Sequence, residues 1–235
     1  MKITTGSREL DEWLSGGFET DVITTIYGPA GSGKTNLCVM AAACQASQEK
    51  QVLFIDTEGG FSIERLKQLT PGEVIKNILL LKVTNFYEQY KAFQQLPELI
   101  KKNRNISLII VDSIVMLYRL ALAEAKKKNK EEINKVNRLL VKQMLILNEM
   151  ARKKNIPSII TDQVYSEFLS QEDFEAGKER KTLMVGGDIF RYWSKCIIEI
   201  QNLPFGRKKA ILRKHRSMPE KEFFFKITGE GIKKI

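Results

Sequence analysis

Short apolar runs punctuate this chain, each bounded by polar or glycine-containing turns: Val22–Tyr27, Val52–Asp56, Ile78–Val83, Leu108–Asp112, Ser158–Thr161 and Cys196–Gln201. None alternates apolar with polar residues, as a strand covered on one face does. They read instead as parallel strands buried on both faces. Between them lie segments with helical periodicity. In Glu131–Lys154 the apolar positions Ile133, Val136, Leu140, Met144, Leu147 and Ala151 step by three or four, so one face packs and the other carries charge. The pattern changes near the end. Ala210–Lys214 and Glu222–Thr228 read as strands with turn residues between them, which predicts antiparallel hairpins. The order of elements predicts an α/β fold: a mostly parallel central sheet flanked by helices, with antiparallel C-terminal strands. No repeat and no Pro- or Ser-rich linker divides the chain, so residues 1–235 are expected to form a single domain.

The first strand leads into the clearest chemical signal. Gly28-Pro29-Ala30-Gly31-Ser32-Gly33-Lys34-Thr35 fits GxxxxGK[ST], between an apolar strand and a helical stretch over Asn36–Ser47. Glycines there let backbone N–H groups converge on phosphate oxygens, and the helix N-terminus adds partial positive charge. Lys34 is expected to reach the β- and γ-phosphates of ATP, and Thr35 to ligate Mg²⁺. Asp112 closes a four-residue apolar run, the pattern of an aspartate that holds Mg²⁺. Glu58 follows the strand ending at Asp56, where a carboxylate can orient and deprotonate an attacking water. Gln163, past the fifth run, is placed to hydrogen-bond a γ-phosphate.

Composition narrows the remaining chemistry. His215 is the single histidine, which argues against a two-histidine zinc site and a Ser-His-Asp enzyme built on any other imidazole. Cys38, Cys44 and Cys196 have no CxxC spacing and read as reduced core thiols. No signal-peptide pattern opens the chain and no apolar run approaches a membrane span, so a soluble, cytoplasmic protein is expected. The 38 Lys+Arg against 28 Asp+Glu give +10 at neutral pH, and residues 204–235 alone carry +7. A polyanion, most commonly nucleic acid, is the expected partner of such a surface. Arg207, Lys208, Lys209, Arg213, Lys214 and Arg216 alternate with apolar residues, so period two predicts a compact basic patch for DNA phosphates. Phe223, Phe224 and Phe225 are assigned mainly to the core, and His215 to an exposed strand position.

Further motifs surround these residues. Thr4-Thr5-Gly6-Ser7-Arg8-Glu9-Leu10-Asp11 and Gly16-Gly17 precede the phosphate loop. Asp56-Thr57-Glu58-Gly59-Gly60-Phe61, Glu64-Arg65, Asp112-Ser113, Leu117-Tyr118-Arg119, Thr161-Asp162-Gln163, Gly186-Gly187-Asp188 and Met218-Pro219-Glu220 follow it. The series resembles the ATPase core of the RecA-type recombinases, in their archaeal and eukaryotic branch, over essentially the whole chain. The resemblance implies that Glu58 activates water and that Gln163 senses the γ-phosphate. It also implies two DNA-binding loops, one after Arg119 to about Glu132 and one between Val164 and Val185. Lys126, Lys127, Lys128 and Lys130 fall in the first.

The departures point to a particular kind of relative. Recombinases of this branch carry an N-terminal helical DNA-binding domain and a linker aromatic that joins protomers into a filament. Met1 stands three residues before the first motif, so both are expected to be absent. The first loop lacks the family's glycines and reads as a helix former. The family's Thr-Asn-Gln is here Thr161-Asp162-Gln163, and the acidic ATP-capping segment is here basic, Arg213-Lys214-His215-Arg216-Ser217-Met218-Pro219-Glu220. The resemblance therefore implies an archaeal recombinase paralogue that regulates homologous recombination and DNA repair. It binds ATP and Mg²⁺, hydrolyses ATP weakly, and binds single- and double-stranded DNA without strand exchange of its own. Its implied partners are the main recombinase RadA and a Holliday-junction resolvase, and a homo-oligomer is compatible with it. Two other readings compete: an active filament-forming strand-exchange recombinase, and an adaptor that ATP switches without meaningful hydrolysis.

Overall fold

The structure is a computed structural model that describes residues 1–70, 72–166, 182–184 and 186–235. In chain order the first half comprises β1 (Lys2–Ile3), α1 (Arg8–Trp13), β2 (Phe18–Glu19), β3 (Ile23–Gly28), α2 (Lys34–Ser47), β4 (Gln51–Asp56), α3 (Ile63–Leu69), β5 (Ile78–Lys82), α4 (Phe86–Lys102) and β6 (Ile106–Asp112). The second half comprises α5 (Met116–Lys126), α6 (Lys130–Lys154), β7 (Ser158–Ser166), β8 (Thr182–Met184), α7 (Gly187–Trp193), β9 (Cys196–Asn202), β10 (Arg207–His215), β11 (Glu222–Thr228) and β12 (Gly231–Lys234).

The main sheet runs in the order β12-β11-β10-β9-β3-β7-β6-β4-β5. From β9 to β5 the neighbours are parallel, and β9 to β12 are antiparallel. The predicted architecture is therefore the observed one. The missing period-two pattern has a direct cause. Along β4, Val52 and Phe54 enter one core layer while Leu53 and Ile55 enter the other; along β6, Leu108 and Ile110 oppose Ile109 and Val111. Both faces are covered, by α2 and α3 on one side and α4, α5 and α6 on the other, so every position is apolar.

Helix α6 keeps the predicted face, with Leu140, Met144, Leu147 and Ala151 buried. In β11 the aromatics alternate: Phe223 and Phe225 are buried and stack at 5.6 Å, and Phe224 faces out. The three cysteines are free thiols, Cys38 and Cys196 buried.

The opening motifs act in packing. Asp11 Oδ1 accepts the Thr5 N–H at 2.7 Å, and its Oδ2 accepts the Thr4 hydroxyl at 2.5 Å. The segment thus folds onto α2, where a Cβ on Gly6 would stand 2.7 Å from the Met40 carbonyl oxygen. Arg65 ties α3 to the β11–β12 turn through the carbonyls of Gly229 and Gly231, at 3.0 and 3.3 Å.

One expectation changes and one lies beyond the described residues. The first loop is not a loop over residues 119–132. α5 runs to Lys126, α6 starts at Lys130, and only residues 127–129 join them. Ala123, Glu124 and Ala125 favour the helix, and the Asn129 side chain caps α6 by accepting the Glu132 N–H at 2.9 Å. The second loop lies largely outside the described residues. Its stems are described as β7 and β8, paired antiparallel from Val164↔Met184 to Ser166↔Thr182.

Candidate nucleotide site

The phosphate loop leaves β3 at Gly28 and enters α2 at Lys34. Two of its glycines are sterically required. A Cβ on Gly28 would stand 2.3 Å from the Ile200 carbonyl oxygen. Gly33 has φ of 99°, and a Cβ there would lie 2.5 Å from Ile227 Cδ1. The first N–H groups of α2 have no acceptor in the helix's own preceding turn and face the loop, a ready anion site. Lys34 is buried and folds back, its Nζ donating to the carbonyls of Gly28 and Pro29, both at 2.9 Å. Burial pulls the Lys34 ammonium below its ordinary range, while Glu58, Asp112 and Asp162 partly restore it.

Asp112 ends β6 opposite Asp56 of β4. Its Oδ2 accepts the Thr35 hydroxyl at 2.7 Å, and its Oδ1 accepts the Thr161 hydroxyl at 2.5 Å. Burial pushes the Asp112 carboxyl up; the two threonine hydroxyls hold it back. The predicted pair, Thr35 and Asp112, is thus brought into contact across 77 residues of sequence.

Glu58 stands exposed at the same end of the sheet. Gln163 Nε2 donates to its Oε1 at 3.1 Å and its Oε2 at 3.0 Å. Partial burial and the nearby Asp112 carboxylate push the Glu58 carboxyl above its ordinary value, and Lys34 and Gln163 act against them. A cavity of about 540 Å³ opens beside this pair, walled by Val115, Met116, Arg119, Leu120 and Ala123.

Residues without an assigned role in the sequence reading complete the site. Asp56 is buried and organises the turn that carries Glu58. Its Oδ1 accepts the N–H groups of Glu58, Gly59 and Gly60, and its Oδ2 that of Phe61, over 2.8 to 3.3 Å. The signal was available, since Asp56 ends its strand as Asp112 does. Thr161 orients Asp112. Asp162 is fully buried with neither carboxylate oxygen hydrogen-bonded, and burial pushes its carboxyl well above the ordinary range.

The DNA candidates separate. Lys126, Lys127, Lys128 and Lys130 are exposed around the α5–α6 corner, Lys127 pairing with Glu124 at 2.7 Å. The hairpin does not form the predicted one-sided patch. A bulge in β10 between Leu212 and Lys214 breaks the alternation at Arg213. Arg213 pairs with Glu199 and Glu220, each at 2.7 Å; Arg216 pairs with Glu19 at 3.0 Å and with Asp21 at 2.7 Å. Lys209 pairs with Glu222 at 2.9 Å, Lys214 donates to the Arg191 carbonyl, and Lys208 reaches the Gly31 carbonyl at 2.7 Å. Arg207 is exposed beside Phe205. His215 is not exposed: its side chain is 2% accessible, with Nε2 3.5 Å from Glu19 Oε2. Glu220 and Glu222 belong to the same hairpin, but Glu19 of β2, Asp21 of the following turn and Glu199 of β9 come from other strands, out of reach of any local pattern.

The residues fit a nucleotide and a divalent cation. Thr35 and Asp112 present two oxygens side by side, a set that suits Mg²⁺ completed by phosphate and water. The buried Ser32 hydroxyl in the loop has no protein partner. No helix among the described residues is long and apolar enough to cross a membrane.

Sheet order, phosphate loop and the paired strand-end carboxylates define a P-loop protein with the RecA-type α/β fold. The Rad51 family model matches residues 1–235, and the chain belongs to that family. It is 39% identical over 229 residues to the DNA repair and recombination protein RadB of Methanocaldococcus jannaschii, covering 96% of this chain and 99% of that protein. It is 37% identical over 237 residues to the RadB of Methanobrevibacter smithii, covering 98% and 95%. The solved structure of a RadB recombinase superposes with a TM-score of 0.77 at 32% identity, over 99% of each chain.

Proposed function

We propose that this protein is a RadB-type recombinase paralogue that binds ATP with Mg²⁺, hydrolyses it slowly, binds DNA, and regulates homologous recombination without exchanging strands itself. The observation that carries the reading is the convergence of Lys34, Thr35, Asp112, Glu58 and Gln163 at one end of the sheet. Thr35 and Asp112 hold the cation, which when bound neutralises charge on the phosphate oxygens. Lys34 and the α2 N–H groups bind the polyphosphate. Glu58 orients the attacking water and takes its proton.

Slow turnover follows from the Glu58–Gln163 contact. The amide donates to both carboxylate oxygens, which leaves each with a lone pair for water but competes with that water and makes Glu58 a weaker base. Sequence-independent DNA contact is assigned first to the lysines of the α5–α6 corner, since most hairpin cations answer groups of their own chain. A RadA-type recombinase and a Holliday-junction resolvase are the proposed protein partners, and self-association is compatible with the reading.

The test is ATP hydrolysis with and without single-stranded DNA, alongside gel-shift binding at two salt concentrations and a strand-exchange assay. Slow hydrolysis, salt-sensitive DNA binding and no exchange are expected. Turnover strongly stimulated by single-stranded DNA, or exchange by the purified protein, favours an active filament-forming recombinase instead.

A further inference from the structure

The phosphate loop is gripped from outside by the turn between β9 and β10. Lys208 Nζ donates to the Gly31 carbonyl oxygen at 2.7 Å and to Asn202 Oδ1 at 2.6 Å. Asn202 Nδ2 donates to the Ala30 carbonyl oxygen at 3.4 Å. Asn202 and Lys208 face each other across the strand pair, one ending β9 and the other near the start of β10. The turn that brings them there has Phe205 and Gly206 in the left-handed region, with φ of 61° and 70°.

Four consecutive loop carbonyls are therefore divided between two cations and an amide. Gly28 and Pro29 are met by Lys34 from within, Ala30 and Gly31 by Asn202 and Lys208 from without. A trans peptide directs its C=O and N–H in opposite senses. With the Ala30 and Gly31 carbonyls drawn outward, the N–H groups of Gly31 and Ser32 point inward. The Ser32 N–H donates to the Pro29 carbonyl at 3.2 Å, closing a turn within the loop, and an arriving phosphate has to replace that carbonyl as acceptor.

We propose that Asn202 and Lys208 are positioning residues of the nucleotide site, holding the Ala30–Ser32 peptides with their N–H groups turned toward the phosphates before nucleotide arrives. The inference rests on the reading of residues 28–35 as an ATP site. A loop fixed in advance loses less conformational freedom on binding, and a second ammonium beside Lys34 raises the local positive potential for a polyanion. Lys208, which composition groups with the DNA-binding cations, thereby acts on nucleotide.

The experiment measures binding of a fluorescent ATP analogue with Mg²⁺, and ATP hydrolysis, by the full chain and its Lys208→Met, Lys208→Arg and Asn202→Ala variants. Lys208→Met is expected to weaken nucleotide binding about 5- to 10-fold and to raise KM in step, with kcat at saturation within about twofold. Asn202→Ala is expected to weaken binding about threefold by the same loss of a hydrogen bond. Lys208→Arg, which keeps the charge and N–H donors, is expected to recover most of the affinity. Unchanged nucleotide affinity in both Lys208→Met and Asn202→Ala overturns the proposal, as does a fall in kcat at constant KM. Should Lys208→Met fail to fold, Asn202→Ala and Lys208→Arg carry the test. A folded wild-type protein that binds no nucleotide overturns the ATP reading itself, a result distinct from failure of the clamp.

Discussion

The amide of Gln163 spans both oxygens of Glu58, at 3.1 and 3.0 Å, so a residue within β7 holds the carboxylate assigned to water activation. Glu58→Gln is expected to lower the hydrolysis rate about 10²- to 10⁴-fold while nucleotide binding persists. The two are separated by measuring single-turnover hydrolysis and equilibrium binding on one preparation.

The acid limb of the rate profile depends on the same carboxylate, raised by burial and by Asp112. Glu58 acts as a base only when ionised, and its carboxyl is raised above the ordinary range. Activity should therefore fall, as pH drops, at a higher pH than an unperturbed carboxylate gives. Gln163 opposes that rise. Gln163→Leu removes the opposition, so the limb is expected to move further toward alkaline pH; a shift to lower pH contradicts the assignment.

Asp112 joins Thr35 to Thr161 and has its carboxylate within the proposed cation site. Asp112→Asn is expected to raise the Mg²⁺ concentration required for hydrolysis about 10- to 100-fold. A magnesium titration at saturating ATP checks it, and an unchanged requirement removes Asp112 from the metal.

Asp162 is buried with both oxygens unpartnered, and its carboxyl is raised well above the ordinary value. For such an acid the unfolded chain ionises first as pH rises, so stability falls from the unfolded pKa upward until the folded pKa is passed. Asp162→Asn cannot ionise and is expected to gain stability relative to the parent protein as pH rises from 4 to 7. The gain should shrink toward pH 4. Denaturant unfolding at both pH values provides the comparison.

The two basic regions should respond differently to mutation. Replacing Lys126, Lys127, Lys128 and Lys130 together with Gln is expected to weaken DNA binding and reduce its log–log salt slope by about 3, near 0.7–0.9 per lost phosphate contact. Arg216→Ala breaks pairs with Glu19 and Asp21, leaving the buried Glu19 with less compensation. A stability loss of about 1 kcal/mol, with a smaller effect on DNA, is expected there. An unchanged slope in the quadruple lysine variant moves the DNA surface elsewhere.

The sequence by itself determined the parts of this protein that depend on local pattern. Period and apolar runs located the buried strands, because a strand covered on both faces has no polar position to offer. The phosphate loop was legible because its glycines and its Lys34-Thr35 lie within eight consecutive residues. The ends of β6 and β4 marked Asp112 and Glu58 for the same reason. Only the tertiary structure decided what each charge faces. Arg213 and Arg216 looked like free phosphate ligands until β10 bulged and Glu199, Glu19 and Asp21 came within ion-pair distance. His215 lost its solvent against Glu19, Asp162 lost its partners inside the sheet, and Lys208 found the Gly31 carbonyl 177 residues away. The physical reason is the range of the interactions. Hydrophobic periodicity and turn chemistry act over a few residues and are written in order along the chain. The partner of a charge is set by which strands lie side by side, and that order, β10-β9-β3-β7-β6-β4, exists only once the sheet has formed.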